Sequence, residues 1–523
     1  MISGDASKAC RVIRPRSRAG AKDKTAAKRT NTASLQGGTG SVLEAALLID
    51  NEPVAAAATF ERIDPVTRAV ATRAAAASVE DAEHAANVAA RAFAQWSASG
   101  PAERRDHLNA AADVLLARSG EFADAIITET GGTRDWAAFN CRLAAAVLRE
   151  AAAMTTQLTG ETIPSDKSGS FAMAVRQPCG VVLGLAPWNA PVILAARALA
   201  MPLACGNTVI LKASELCPRT HGLLGEVFQE AGLPAGVINI VHTAPDDAPR
   251  IVEALIAHPA VRRVNFTGST RVGRIIAQSC ARHLKRCLLE LGGKAPLILL
   301  EDANLGAAVD AAMFGAFFHQ GQICMATERV LVHEAVADAF LDRFRARAER
   351  IRAGDPRDPA VKLGAMISEA AALRVKGLID DAVRKGAVLV TGGRQDGVFI
   401  DPTILDGVNA SMRLYYEESF GPVASVIRFG DVDEAVSMAN DTEYGLAAAI
   451  YSRDVAGAIR IARRIESGIC HINSPTINDE PQMPFGGVKA SGYGRFGGKA
   501  GIDEFTELRW ITIQTGEPPP YPI

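Results

Sequence analysis

The sequence predicts an α/β fold: doubly wound, largely parallel sheets in at least two domains. Three observations carry this reading. The chain has 523 residues, too many for one ordinary hydrophobic core. Short apolar runs of strand length alternate with helical stretches, the order that builds βαβ units. The alternation then starts afresh after Gly293, which marks a further domain.

The elements follow in order. Residues 1–42 hold nine basic side chains, from Lys8 to Arg29, against Asp5 and Asp23, with few large apolar residues. Such an arm lacks the means to bury a core and is expected to be disordered. Ordered structure is expected from Leu43. Val79 to Trp96 has a helical beat, with Asp81, Glu83 and His84 outward and alanines inward. Ala102 to Arg118 and Glu121 to Thr130 read the same way. Val181 to Leu185, Thr208 to Leu211, Val237 to Val241 and Arg263 to Phe266 read as buried strands, and Arg219 to Ala231 as a helix between two of them. Beyond Gly293, Ala295 to Leu300 and Arg329 to Val332 are strands that flank an Ala-rich helix, Leu305 to Phe318. Glu504 to Gln514 alternates in the manner of a strand, and the proline-rich end from 515 to 523 reads as a stiff surface tail.

Charge is nearly balanced, with Lys+Arg 56 against Asp+Glu 58, so no global field favours nucleic acid or a membrane surface. The nine cysteines are odd in number and form no Cys-x-x-Cys pair, which disfavours a disulfide framework or a zinc site and fits a reducing compartment. No metal is expected. No apolar run reaches transmembrane length, because Pro187, Asn189, Pro191 and Arg197 interrupt the longest candidate. A cytoplasmic location is expected.

Four motifs carry chemistry. Cys324 closes Gly321-Gln322-Ile323-Cys324 at the end of an apolar helix, where a thiol on a turn would serve as a nucleophile if made a thiolate. Glu290 stands among leucines in Leu289-Glu290-Leu291-Gly292-Gly293-Lys294. Burial there would raise its pKa toward the range of a general base. Phe266-Thr267-Gly268-Ser269-Thr270-Arg271-Val272-Gly273 joins a strand to a helix, and its glycines would let the backbone approach a diphosphate. Asn189, between Pro187 and Pro191, offers an amide donor to a developing oxyanion. Taken singly, each has an ordinary alternative: a packed cysteine, an exposed glutamate, a turn, a loop asparagine.

Together and in this order, with Lys212-Ala213-Ser214-Glu215, Glu418-Ser419-Phe420-Gly421-Pro422 and Pro484-Phe485-Gly486-Gly487, they make the chain resemble the aldehyde dehydrogenase superfamily from about residue 45 to 514. The resemblance implies three parts. A Rossmann-type NAD-binding domain spans 43–159 and 179–292, an α/β catalytic domain spans 293–488, and a small β oligomerisation extension comes from 160–178 and 489–514. It implies an aldehyde as substrate and NAD as cofactor. Cys324 would attack the carbonyl carbon, Asn189 and the Cys324 N–H would hold the oxyanion, and Glu290 would activate the water that hydrolyses the thioester. Lys212 and Glu215 would reach the adenosine ribose. Gly268, Ser269 and Gly273 would lie near the pyrophosphate, and Glu418 at the nicotinamide ribose. Phe420 would lie beside the ring, with Trp188 on the wall toward the substrate. A carboxylate at Glu215 would repel a 2′-phosphate, which favours NAD over NADP. The family usually has Pro between Lys212 and Glu215, where this chain has Ala213-Ser214. A homodimer or homotetramer is expected from the unpaired strand edge near the C-terminus.

Cys179-Gly180-Val181-Val182-Leu183-Gly184, Ala186-Pro187-Trp188-Asn189-Ala190-Pro191, and His471-Ile472-Asn473 running into Asp479-Glu480-Pro481-Gln482-Met483-Pro484-Phe485 resemble salicylaldehyde and vanillin dehydrogenases within the family, so a substituted benzaldehyde is the expected substrate. Arg197, Phe318 and Phe485 are the expected substrate-pocket residues. The Arg197 guanidinium would pair with an anionic ring substituent, or else reach the surface or a structural carboxylate. Three other readings stand beside this one: an aliphatic semialdehyde dehydrogenase, a CoA-acylating enzyme, which Glu290 disfavours, and a catalytically silent binding protein.

Overall fold

The computed structural model describes residues 42–517 and 520–523. The basic arm, apart from Val42, lies outside the described residues. Among them, an eight-stranded sheet and a seven-stranded sheet dominate, each covered by helices.

The first sheet has a parallel centre. From one side its strands run Arg286–Glu290, Val261–Thr267, Val181–Leu185, Thr208–Lys212 and Ile238–Val241. Chain order therefore reverses between Val181–Leu185 and Val261–Thr267. Strands on either side of such a reversal send their following loops in opposite directions, which opens a crevice beyond their carboxyl ends. The loops that leave these two strands are Ala186-Pro187-Trp188-Asn189 and Gly268-Ser269. Helix Pro191–Ala204 follows the first of them and is buried at every position, which is why its sequence is apolar all round except Arg197.

Antiparallel strands close both edges. Leu47–Ile49 and Glu52–Val54 add to one. Gly492–Tyr493 adds to the other, beside Leu289 and Glu290. This last pairing changes the expected domain limits. Residues from 489 to about 505 return to the first sheet and its helices, and the β extension is made of Glu161–Ile163, Ser170–Pro178 and Thr506–Gln514. A two-residue strand containing glycine has no periodicity to announce it.

The second sheet is ordered Val388–Thr391, Thr403–Asp406, Val423–Phe429, Thr327–His333, Ala295–Leu299, Ala447–Tyr451, Ile469–Ile472, parallel except at its first strand. Only Leu291 to Lys294 separate the end of Arg286–Glu290 from the start of Ala295–Leu299. That short crossover brings the carboxyl end of the first sheet against the amino end of the second, where the motifs converge.

The long strands Ser170–Pro178 and Thr506–Gln514 pair along nine residues. Thr506–Gln514 is an edge strand with Leu508 and Trp510 exposed, Trp510 at 76%. No helix among the described residues is long and apolar enough to cross a membrane.

Candidate active site

The turn that carries Cys324 is held under strain. Helix Leu305–Phe317 ends, and His319 (φ 49°), Gln320 (φ 57°) and Gly321 (φ 67°) then lie in succession in the left-handed region. Two of the three have side chains, so neighbours must enforce the conformation. The Gln320 side chain accepts from Gly364 N–H at 3.0 Å and donates to the Ala365 carbonyl at 2.8 Å. Gln322 Oε1 accepts from Ile367 N–H at 3.0 Å. The His319 ring stacks on Trp136, with centroids 4.4 Å apart. Gly321 is required by close approach, since a Cβ there would stand 2.1 Å from the Gly421 carbonyl oxygen.

Asn189 is tied to the same turn. Its Nδ2 donates to the Gln322 carbonyl at 3.0 Å, and its own carbonyl accepts from Trp136 Nε1–H at 3.1 Å. One amide hydrogen of Asn189 is thus anchored two residues before Cys324, which leaves the other for a ligand oxygen. Trp136 touches both the nucleophile turn and the asparagine loop. Sequence reasoning gave no role to Trp136, Gln320 or Gln322.

Glu290 is the last residue of its strand, 1% exposed, and neither carboxylate oxygen has a hydrogen-bond partner. A buried carboxylate without partners is costly, and such groups concentrate where chemistry requires them. Burial pushes its pKa up to about 7, against the pull of the Arg197 guanidinium. Half-buried Cys324 is likewise raised well above the usual thiol range, by burial and then by the negative charge of Glu290. Burial and the neighbouring carboxylate thus both disfavour the thiolate form of Cys324 in this geometry.

Cys324, Glu290 and Asn189 share one cavity of about 280 Å³ with Trp188, Leu194, Gly268, Ser269, Glu418, Phe420 and Arg374. Ser269 caps helix Thr270–Arg282, accepting from Val272 N–H. Glu418 accepts from Gly293 N–H at 2.9 Å, and burial raises it to about 7. Phe420 meets Trp188 edge to face at 5.8 Å. Arg374 is a lining residue that sequence reasoning missed: nothing in its helix, Glu369–Arg384, marks it.

Other expected residues stand elsewhere. Lys212 and Glu215 lie outside this lining and pair with each other at 2.8 Å. Burial opposes ionisation of Glu215, but Lys212 outweighs it and holds the carboxyl below its ordinary range. Gly273 packs against Leu291, whose Cδ2 would stand 2.5 Å from an added Cβ, and does not line the cavity. Phe318 belongs to an aromatic cluster with Trp136, Phe139 and Phe314. Arg197 is buried on a structural carboxylate, one of the alternatives to a substrate contact: it donates to Asp479 at 2.5 Å and lies 4.2 Å over the Phe485 ring. Both Arg197 and Phe485 line a separate small hollow with Met201, Met483 and Phe496. Neither lines the cavity that holds Cys324, although the Arg197 charge still acts on Glu290.

A doubly wound dinucleotide-type sheet joined to a second α/β sheet, with a thiol, a partnerless carboxylate and an amide donor at their junction, defines an oxidoreductase of the covalent-thioester kind. The aldehyde dehydrogenase family matches residues 54–511, and the chain belongs to that family. It is 62% identical over 485 residues to a vanillin dehydrogenase of Pseudomonas fluorescens, covering 92% of this chain and 100% of that protein. It is 51% identical over 460 residues to a salicylaldehyde dehydrogenase of Pseudomonas putida, covering 88% and 95%. The crystal structure of a salicylaldehyde dehydrogenase from Pseudomonas putida G7, complexed with salicylaldehyde, is similar at a TM-score of 0.90 and 49% identity, over 92% of this chain and 100% of that one.

Proposed function

We propose that this enzyme oxidises substituted benzaldehydes to the corresponding acids with NAD. Relatives named for vanillin and salicylaldehyde support the substrate class. The observation that carries the chemistry is the buried, partnerless carboxylate of Glu290, with a pKa of about 7, in one cavity with Cys324.

Glu290 takes the proton of Cys324, and the sulfur bonds to the aldehyde carbon. The carbonyl oxygen, now an anion, is held by the free amide hydrogen of Asn189 and by the Cys324 N–H. Bound NAD supplies a hydride acceptor in the cavity. When the hydride departs, the cysteine is left as a thioester. Glu290 releases the thiol proton to solvent and, ionised again, draws a proton from water; the hydroxide adds to the thioester carbon, the C–S bond breaks with the sulfur leaving as thiolate, and the acid departs.

The residues present fit the dinucleotide. Gly268 and Ser269 stand at the N-terminus of a thirteen-residue helix, suited to the pyrophosphate. Glu418, with one oxygen fixed by Gly293, would offer the other to the nicotinamide ribose, and Phe420 and Trp188 would wall the ring. Lys212 and Glu215 are proposed at the adenosine ribose. An ionised Glu215 there favours NAD over NADP. The exposed edge strand Thr506–Gln514 supports a homodimer or homotetramer. The eight described cysteines are free thiols, in keeping with the cytoplasm.

The test is a steady-state panel of benzaldehyde, salicylaldehyde, vanillin, hexanal and succinic semialdehyde, each with NAD and with NADP. The aromatic aldehydes are expected to have the higher kcat/KM. Preference for hexanal or succinic semialdehyde would sink the aromatic assignment.

A further inference from the structure

Lys294 and Glu328 form an ion pair that takes no part in the chemistry above. Lys294 closes the crossover that follows Glu290. Glu328 lies in strand Thr327–His333, just beyond Cys324. Both are buried, at 2% and 4% exposure. Lys294 Nζ donates to Glu328 at 2.5 Å and to the Glu417 carbonyl at 2.7 Å. The Glu328 oxygens accept from Ser419 N–H at 2.8 and 2.9 Å, and Oε1 also accepts from Phe420 N–H at 3.0 Å. The ammonium therefore grips the residue before Glu418, and the carboxylate grips the two residues after it.

Stability alone is a poor reason for such a pair. Desolvating two ions costs several kcal/mol each, and well-packed apolar side chains often do as well. What apolar side chains lack is directional grip on the three residues that flank Glu418, namely Glu417, Ser419 and Phe420. The loop needs it, because Phe420 is held in the left-handed region (φ 47°) and its N–H has to be met by an acceptor inside the protein. An ionised carboxylate is suited to accept from two adjacent N–H groups and an ammonium at once.

We propose that Glu328, oriented by Lys294, is a positioning residue for the nicotinamide half of the cofactor: it presets the loop that aims Glu418 and Phe420 into the cavity. The pair also spans the two segments that carry the reacting groups, since Lys294 follows Glu290 and Glu328 follows Cys324. It thereby links the cofactor loop to the nucleophile and the base. The proposal rests on the dinucleotide reading above but not on which aldehyde is oxidised.

Glu328→Ala and Glu328→Gln would be compared with wild type by three measurements: the NADH dissociation constant from its fluorescence, hydrolysis of 4-nitrophenyl acetate without dinucleotide, and the melting temperature. The ester assay reads the Cys324 thiol without needing the cofactor loop. Loss of two buried hydrogen bonds to a charged acceptor should weaken NADH binding by about tenfold or more in the alanine variant. The KM for NAD should rise with it, ester hydrolysis should fall much less, and glutamine, which keeps one acceptor, should lie between. If the alanine variant does not fold, the glutamine variant carries the test. An unchanged NADH dissociation constant in a folded variant overturns the proposal, as does an equal loss of NADH binding and ester hydrolysis. A wild-type enzyme that binds NADH but oxidises none of the panel would remove the substrate assignment and leave this comparison intact. One that binds no NADH would remove both.

Discussion

Arg197 and Asp479 form a buried ion pair, 2.5 Å from Nη2 to Oδ2, and the two charges act on Glu290 in opposite directions. Arg197 pulls the Glu290 pKa down and Asp479 pushes it up, against a larger upward push from burial.

The pH profile of thioester hydrolysis should report this balance. Glu290 must be ionised to act as base, so the rate should rise with pH through about 7. Arg197→Met removes the downward pull and should move that limb to higher pH. Asp479→Asn removes the upward push and should move it to lower pH. Measurement of kcat against pH for the three proteins, under conditions where hydrolysis limits the rate, checks the sign. Shifts in the same direction would contradict the pairing.

Glu290→Gln should separate the two halves of the reaction. The thiol still attacks once deprotonated by solvent, but hydrolysis loses its base and should slow by about 10²–10⁴-fold. Rapid mixing should show a burst of reduced cofactor of up to one equivalent per site, followed by near arrest. Cys324→Ala should show no burst.

Asn189→Ala should lower kcat by about 10²–10³-fold, the usual effect of removing one oxyanion donor. The KM for the aldehyde should change much less, since the donor matters most after the carbonyl oxygen becomes an anion. A large rise in KM with kcat intact would mean that Asn189 only binds substrate.

Glu215→Gln should relax cofactor choice. With the 2′-phosphate no longer facing a carboxylate and Lys212 released from its partner, the NADP-to-NAD ratio of kcat/KM should rise by about tenfold, or 1.4 kcal/mol. No change in the ratio would place the adenosine ribose elsewhere.

Gly293→Ala should be inactive out of proportion to its stability. An added Cβ would stand 2.3 Å from the Cys324 carbonyl oxygen, so the nucleophile's backbone has to move. Overpacking of this kind costs about 1–3 kcal/mol. Thermal melting alongside kcat/KM distinguishes a displaced nucleophile from an unfolded enzyme.

Sequence periodicity found what is repetitive. Helix Val79–Trp96 and strand Val181–Leu185 have the limits their residues announced, because apolar spacing and flanking turns fix both. Strand Thr506–Gln514 was visible from its alternation, whereas the helix Gly498–Phe505 just before it was not. The motif residues Cys324, Glu290, Asn189, Gly268, Ser269, Glu418 and Phe420, scattered along the sequence, line one cavity. What stayed hidden is long-range pairing. Asp479 lies 282 residues from Arg197, and nothing local says that the guanidinium already has a partner. The two glutamines that clamp the nucleophile turn bond to backbone at 364–367, and a backbone partner leaves no trace in side-chain patterns.

The three left-handed residues before Cys324 set durability against catalysis. Glycine in place of His319 would remove an unfavourable backbone conformation worth on the order of 1 kcal/mol or more, while giving up the stack on Trp136. A screen for heat resistance is expected to pick such relaxed turns at the expense of rate, because the His319 ring that a glycine discards is part of what ties the nucleophile turn to Trp136 and, through it, to the Asn189 loop.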